Sequence, residues 1–342
     1  MQNILIENKN YLLTAFGLLC FIGLRFYFNG PRNRISKNLK SKVIIVTGAS
    51  EGIGKETAIK LLTDDAVVIF ACRDEKKTLD IISKIKNKEM RSRAIFMKID
   101  LSDYQSIKNF QLEFKSKFSS LDILINNAGA IFKNFQKSPS GVESTFQVNT
   151  LGPIVLTQGL LDILHKSSGR VINVSSKVYQ SFKHDHKFYQ AIDPEKYEFN
   201  NTTYKSMNHY AFSKIGNIFF TQYLNEYILD KKLNIKTASL HPGVILTDLF
   251  RDYKGFFVNT LVIAMYPILW LMTKTKFMGA QTTLHLCYVS DKDFVSGAYY
   301  ADCAPTTLMS HASDKNSCET FMSLVKRFID LYGKKNEVKF EL

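Results

Sequence analysis

Tyr210 and Lys214 stand four residues apart in YAFSK, a spacing that puts both side chains on one face of a helix. An ammonium beside a phenol favours the phenolate and draws its pKa from about 10 toward neutrality. A tyrosine tuned in this way can give a proton to an alcohol or carbonyl oxygen, or take one from it. Ser176 ends the stretch RVINVSS, and its hydroxyl could donate a hydrogen bond to the same oxygen. Thirty-four positions separate Ser176 from Tyr210, so only the fold can join them. Alone, Tyr-x-x-x-Lys is a common surface pair. His184 and His186 lack a third ligand and read as loop residues, so no metal site is expected.

The elements that must position these groups begin at Lys42–Gly54, KVIIVTGASEGIG. Lys42–Thr47 reads as a buried strand and Lys55–Leu62 as a helix, with Gly48, Gly52 and Gly54 between them. Such a turn sets bare backbone N–H groups beside the positive end of the helix dipole, where a dinucleotide pyrophosphate can sit. The spacing is Gly-x-x-x-Gly-x-Gly, and an ordinary glycine loop is the bland alternative. Further strands are predicted over 66–71, 94–99, 121–125, 170–175, 235–240 and 297–301. Helices are predicted over about 74–88, 102–118 and 208–229, with a long helical region ending at His165. Repeated βα units of this length imply an α/β fold, a doubly wound parallel sheet with ligand at the carboxyl ends of its strands.

TGASEGIG, the NNAG after the fourth strand, the VSS after the fifth and YAFSK occur in the order of the short-chain dehydrogenase/reductase family, which the chain resembles over roughly residues 40–305. The resemblance implies a Rossmann fold and hydride transfer between a nicotinamide and a substrate carbon. It implies Tyr210 as acid/base, Lys214 as the group that lowers its pKa and holds the nicotinamide ribose, and Ser176 as the residue that positions the substrate oxygen. Asn149, in QVNTLGP, matches the asparagine that supports a proton relay. Gly48, Ser50, Glu51, Gly52, Ile53 and Gly54 would form the pyrophosphate loop, and Asp100 and Leu101 the adenine contacts. Asn127, Ala128 and Gly129 would line the cofactor cleft, and Pro242, Gly243, Val244 and Thr247 would wrap the nicotinamide amide. Asn127 and Asn149 could otherwise be plain strand-end and helix polar groups, and Gly243 a plain turn.

The second strand ends in ACRDE, with Cys72 where an acid would hold the ribose 2′-OH of NAD and Arg73 next to it. That favours NADP(H) over NAD(H), although Glu51 argues the other way, because a carboxylate near a phosphate costs binding. The long insertion KVYQSFKHDHKFYQAIDPEKYEFNNTTYKS, with ACRD, SLHPG and GAQTTLHL, resembles the retinol dehydrogenase branch.

Tyr11–Phe28 is an 18-residue apolar run broken only by Arg25 near its end. It approaches the ~20 residues needed to cross a bilayer and reads as an uncleaved anchor; the rival is a cleaved signal peptide. Arg32, Arg34, Lys37, Lys40 and Lys42 follow the run, placing the large domain on the cytosolic side, with endoplasmic reticulum the expected membrane. The expected layout is an anchor at 1–28, a basic tether at 29–41, one Rossmann domain at 42–310 and a C-terminal helical extension at 311–342. Within that domain an apolar lid is expected at 250–276. Phe256–Met272 carries its apolar run, with a second membrane span as the alternative. Together these imply a lipophilic alcohol, aldehyde or ketone reached through a membrane: a retinoid, a steroid or a fatty aldehyde. Sterols, xenobiotic carbonyls and a nucleotide-binding scaffold without catalysis are the competing readings.

Of the formal net charge of +14, six cations fall between Arg25 and Lys42, and the remaining lysines are scattered. No nucleic-acid partner is expected. Five cysteines without a C-x-x-C pair suit a reducing compartment. Asn201-Thr202-Thr203 is a glycosylation acceptor that would be used only if the domain faced the lumen. Reaction direction and oligomeric state stay open, a homodimer included.

Overall fold

The computed structural model describes residues 2–196, 204–245 and 270–342, with side chains from residue 16 onward. Runs of β-branched and aromatic residues form an eight-stranded sheet: β1 (Val43–Thr47), β2 (Val67–Cys72), β3 (Ala94–Lys98), β4 (Ile123–Asn126), β5 (Arg170–Val174), β6 (Lys236–His241), β7 (Tyr299–Ala301) and β8 (Ala304–Pro305). Their order is β3-β2-β1-β4-β5-β6-β7-β8, parallel throughout except for antiparallel β8. The sheet is buried on both faces, as strands of near-continuous apolar character require. Alternation along β1 shows this: Val43 and Ile45 enter one core cluster, Ile44 and Val46 the other. The chain therefore forms the expected Rossmann-like parallel sheet. Its strand order reverses between β1 and β4, which opens the crevice at their carboxyl ends.

The long helical region expected before His165 is broken instead. Gln147–Leu151 is a π-helical turn, Gly152–Gln158 is α-helical, and a separate helix covers Leu161–Lys166. Pro153 has no N–H to donate to the Asn149 carbonyl four residues back, so the ladder widens there. At its end Gln111 donates to the Val155 and Leu156 carbonyls at 2.7 and 3.4 Å, and Leu160 N turns to the Thr157 carbonyl at 3.0 Å.

The C-terminal helix Lys315–Tyr332 packs into the larger core cluster. Its Phe321 and Phe328 meet Phe146 with ring centroids 6.2 and 5.5 Å apart, and Phe321 also packs on Phe212 of the Ser206–Asp230 helix. Gln2–Asn29 is helical and holds the N-terminal apolar run. Among the described residues no helix is long and apolar enough to cross a membrane. Residues 250–269 of the expected lid, Thr247 and the Asn201–Thr203 acceptor lie outside the described residues.

Candidate active site

The crevice at the carboxyl ends of the strands is a cleft of about 570 Å³. Its floor is the turn between β1 and the Gly52–Thr63 helix. Glu51 precedes that helix, but its side chain does not cap it, so the first N–H groups open into the cleft. The turn is closely folded against the strand beside it: a Cβ on Gly54 would lie 2.4 Å from both Gly48 O and Asn127 Nδ2. Thr47 fixes this arrangement. Its Oγ1 accepts from the Asn127 and Ala128 N–H groups, each at 3.0 Å, while its carbonyl accepts from Asn127 Nδ2 at 2.8 Å. A glycine-rich turn at the positive end of a helix fits a pyrophosphate. Gly48, Ser50, Glu51, Gly52, Ile53 and Gly54 all line it, as do Asn127, Ala128 and Gly129.

Arg73, Asp100 and Leu101 line the far end. Asp100 Oδ1 accepts from Ser102 N and Oγ at 2.9 and 2.6 Å, so its side chain braces its own turn. Cys72 is the last residue of β2 and is buried; burial pushes its thiol pKa up and keeps it neutral. The sequence reading set Glu51 against a phosphate, but it omitted Lys77, which lines the same end and forms an ion pair with Glu51.

The opposite end carries the proton-handling groups. The Ser206–Asp230 helix is pinned to the end of β5 by three bonds: Lys214 Nζ to Val174 O at 2.9 Å, Asn217 Nδ2 to Val174 O at 3.2 Å, and Ser175 Oγ to Lys214 O at 2.6 Å. This anchorage turns Tyr210 and Lys214 into the cleft that Ser176 also lines. Lys214 Nζ is 5.6 Å from the Tyr210 ring centroid. Asn149 is buried behind the cleft wall. Its Oδ1 accepts from Ala130 N at 2.8 Å, and its Nδ2 donates to Ala130 O and Ser213 Oγ at 2.9 and 3.0 Å. Asn149 and Lys214 approach Gly129 from two sides: a Cβ there would lie 3.5 Å from Asn149 Oδ1 and 3.4 Å from Lys214 Nζ.

The electrostatics correct one expectation. Burial pushes the Tyr210 phenol up to about 12, against the opposing pull of the Ser176 hydroxyl, and pushes Lys214 down to about 8. Burial sets the direction, so Tyr210 is a neutral proton donor and not an incipient phenolate.

Pro242, Gly243 and Val244 form the last wall, and Thr247 lies beyond the described residues. Sequence reasoning left out the organising Thr47, Lys77 and His241, which also lines the cleft and accepts from Lys177 N through Nδ1 at 3.2 Å. It also left out most of the apolar wall of the cleft, among them Ile131, Phe132, Val178 and Met207. The aromatic and β-branched content of those segments was visible; their convergence on one cleft was not.

A family model described as short chain dehydrogenase matches residues 42–191. Retinol dehydrogenase 12 of Mus musculus is 32% identical over 312 residues, covering 90% of this chain and 93% of that protein. Retinol dehydrogenase 14 of Mus musculus is 30% identical over 323 residues, covering 89% and 92%. The chloroplastic short-chain dehydrogenase TIC 32 A of Brassica napus is 34% identical over 286 residues, covering 82% and 86%. A crystal structure of a protein from Mycobacterium paratuberculosis superposes with a TM-score of 0.67 at 22% identity, covering 92% of this chain and 100% of that one, a likeness of fold.

Proposed function

Because this chain belongs to the short-chain dehydrogenase family, nicotinamide-dependent oxidoreductases acting on CH–OH groups, we propose that it is a membrane-associated NADP(H)-dependent enzyme interconverting a lipophilic alcohol with its aldehyde or ketone. The observation that carries this reading is the convergence of Tyr210, Lys214 and Ser176 on the same cleft as the glycine cradle. The nicotinamide, when bound, supplies or accepts the hydride. Tyr210 gives its proton to the substrate oxygen in reduction and recovers it in oxidation, and Ser176 holds that oxygen. Lys214 would hold the ribose, and Asn149 would support the route by which the proton is replaced. Gly48 to Gly54 would hold the pyrophosphate, Asp100 and Leu101 the adenine, and Pro242 to Val244, with Thr247, the carboxamide.

NADP(H) is favoured by Arg73 and Lys77 at the adenosine end, where β2 ends in a neutral thiol and Lys77 offsets the Glu51 carboxylate. A lipophilic substrate is favoured by the apolar wall from Ile131 to Met207. Membrane association is favoured by the apolar run Tyr11–Phe28 and by the exposure of Phe16, Leu19 and Phe26 along the described part of its helix. In this reading 1–28 anchors the chain, 29–41 tethers it to anionic headgroups, and the domain faces the cytosol, the endoplasmic reticulum being the membrane proposed. The full chain assayed against retinoid, steroid and alkyl aldehydes is expected to consume NADPH faster than NADH. Absence of turnover with every aldehyde and both nucleotides would overturn it.

A further inference from the structure

The exit of the N-terminal helix is joined to the nicotinamide end of the cleft by residues 270–274. Arg25 Nη1 donates to Thr273 O at 2.5 Å and to Leu271 O at 3.5 Å. Its guanidinium lies 4.3 Å from the ring centroid of Trp270, on which Phe21 also stacks. From there the chain continues into Lys274, whose N–H donates to Val244 O at 2.7 Å in a parallel bridge between Ile245 and Lys274. The Lys274 side chain is buried and its ammonium meets Asp302 Oδ1 at 2.5 Å. Two glycines make room for it. Gly30, at the helix exit, has φ +68°, and a Cβ there would lie 2.7 Å from Lys274 Nζ and 2.8 Å from Asp302 Oδ1. Gly243, in the cleft wall, has φ +96°, and its Cβ would lie 2.4 Å from Lys274 Cδ. One lysine stem thus fills the space between the helix exit and the cleft wall.

We propose that the N-terminal helix is a positioning element of the cofactor site: docked through Arg25 on residues 270–274, it holds Lys274 against Gly243 and so sets the Pro242–Ile245 wall. This rests on the reading above that Pro242–Val244 faces the nicotinamide. An anchor alone has no need of a cation stacked on Trp270 or of a glycine shaped to a lysine at its exit. The coupling is physical: Lys274 is bonded to the wall through its backbone and is wedged under it through its stem. A shift of the helix therefore moves the wall.

Trp270 is the chain's single tryptophan, so its emission reports docking directly. In the full chain reconstituted in lipid nanodiscs, Arg25→Ala is expected to move Trp270 emission to longer wavelength. It is also expected to raise the NADPH dissociation constant about tenfold, equivalent to ~1.4 kcal/mol. The maximal rate at saturating NADPH should change far less. Lys274→Met should weaken NADPH to a similar degree with the helix still docked, and Arg34→Ala, an exposed tether cation, should leave emission and affinity unchanged. A shifted emission in Arg25→Ala with unaltered NADPH affinity would overturn the coupling, as would an equal effect from Arg34→Ala. Wild-type protein that binds NADPH and shows these shifts without turning over any carbonyl would support the coupling while sinking the proposed activity.

Discussion

Replacing Tyr210 with Phe removes one oxygen from the cleft and leaves the ring in place. With the phenol near 12, about one molecule in 10⁵ is ionised at pH 7, so the hydroxyl is ready as a donor for carbonyl reduction. The reverse direction needs the ionised form, so oxidation should gain more than reduction as pH rises. Loss of a positioned acid removes roughly 10²–10⁴ in rate, or ~3–5 kcal/mol of barrier lowering. Removing the hydroxyl should cost no more than ~1 kcal/mol of stability, which a thermal melt can bound. The discriminating assay pairs NADPH consumption under saturating aldehyde with NADPH binding by direct titration. Tyr210→Phe should bind NADPH nearly as wild type and turn over at least about 100-fold more slowly. Turnover within about threefold of wild type would refute the proton-transfer role, because no other described hydroxyl donates in its place beside Ser176.

Gly54→Ala puts a methyl 2.4 Å from Gly48 O and Asn127 Nδ2, so it should destabilise the domain by ~1–3 kcal/mol and weaken NADPH, read by melting and titration. Arg73→Ala and Lys77→Ala should each narrow the NADPH-over-NADH preference in kcat/KM by about tenfold, the worth of one charge-assisted contact, with Lys77→Ala also unmasking Glu51. His241 is held near 3 by burial, with Lys177 and Lys274 pushing the same way and Asp302 opposing. Between 3 and 6.5 the unfolded chain binds more protons, so stability present above 6.5 is lost as pH falls, about 2 kcal/mol by pH 5. His241→Gln should flatten that limb in denaturant titrations at pH 7 and 5. Asn201 expressed in cells should carry no glycan; an endoglycosidase-sensitive shift in mass would place the domain in the lumen.

The parts of the fold legible in the sequence are those set by neighbours along the chain. Val43–Val46 and Val68–Ala71 announce buried strands because both faces of the sheet are covered, so local apolarity and final burial coincide. The glycine turn and the Tyr210–Lys214 pair are legible for the same reason: each is complete within one turn of backbone. What stayed hidden depends on separations no local window spans. Lys77 reads as a solvated helix residue until the fold brings Glu51 to it from 26 positions away. Lys274 reads as one lysine among many until Gly30 and Gly243 close around it. The pKa expectation for Tyr210 failed because the charge of Lys214 was legible from spacing, whereas the burial of both groups was not. Desolvation, a property of the assembled core, sets the direction of both shifts. Pro153 is the opposite case, since it stood in plain view within QVNTLGP, and its missing N–H is sufficient reason for the π turn that carries Asn149 to the back of the cleft.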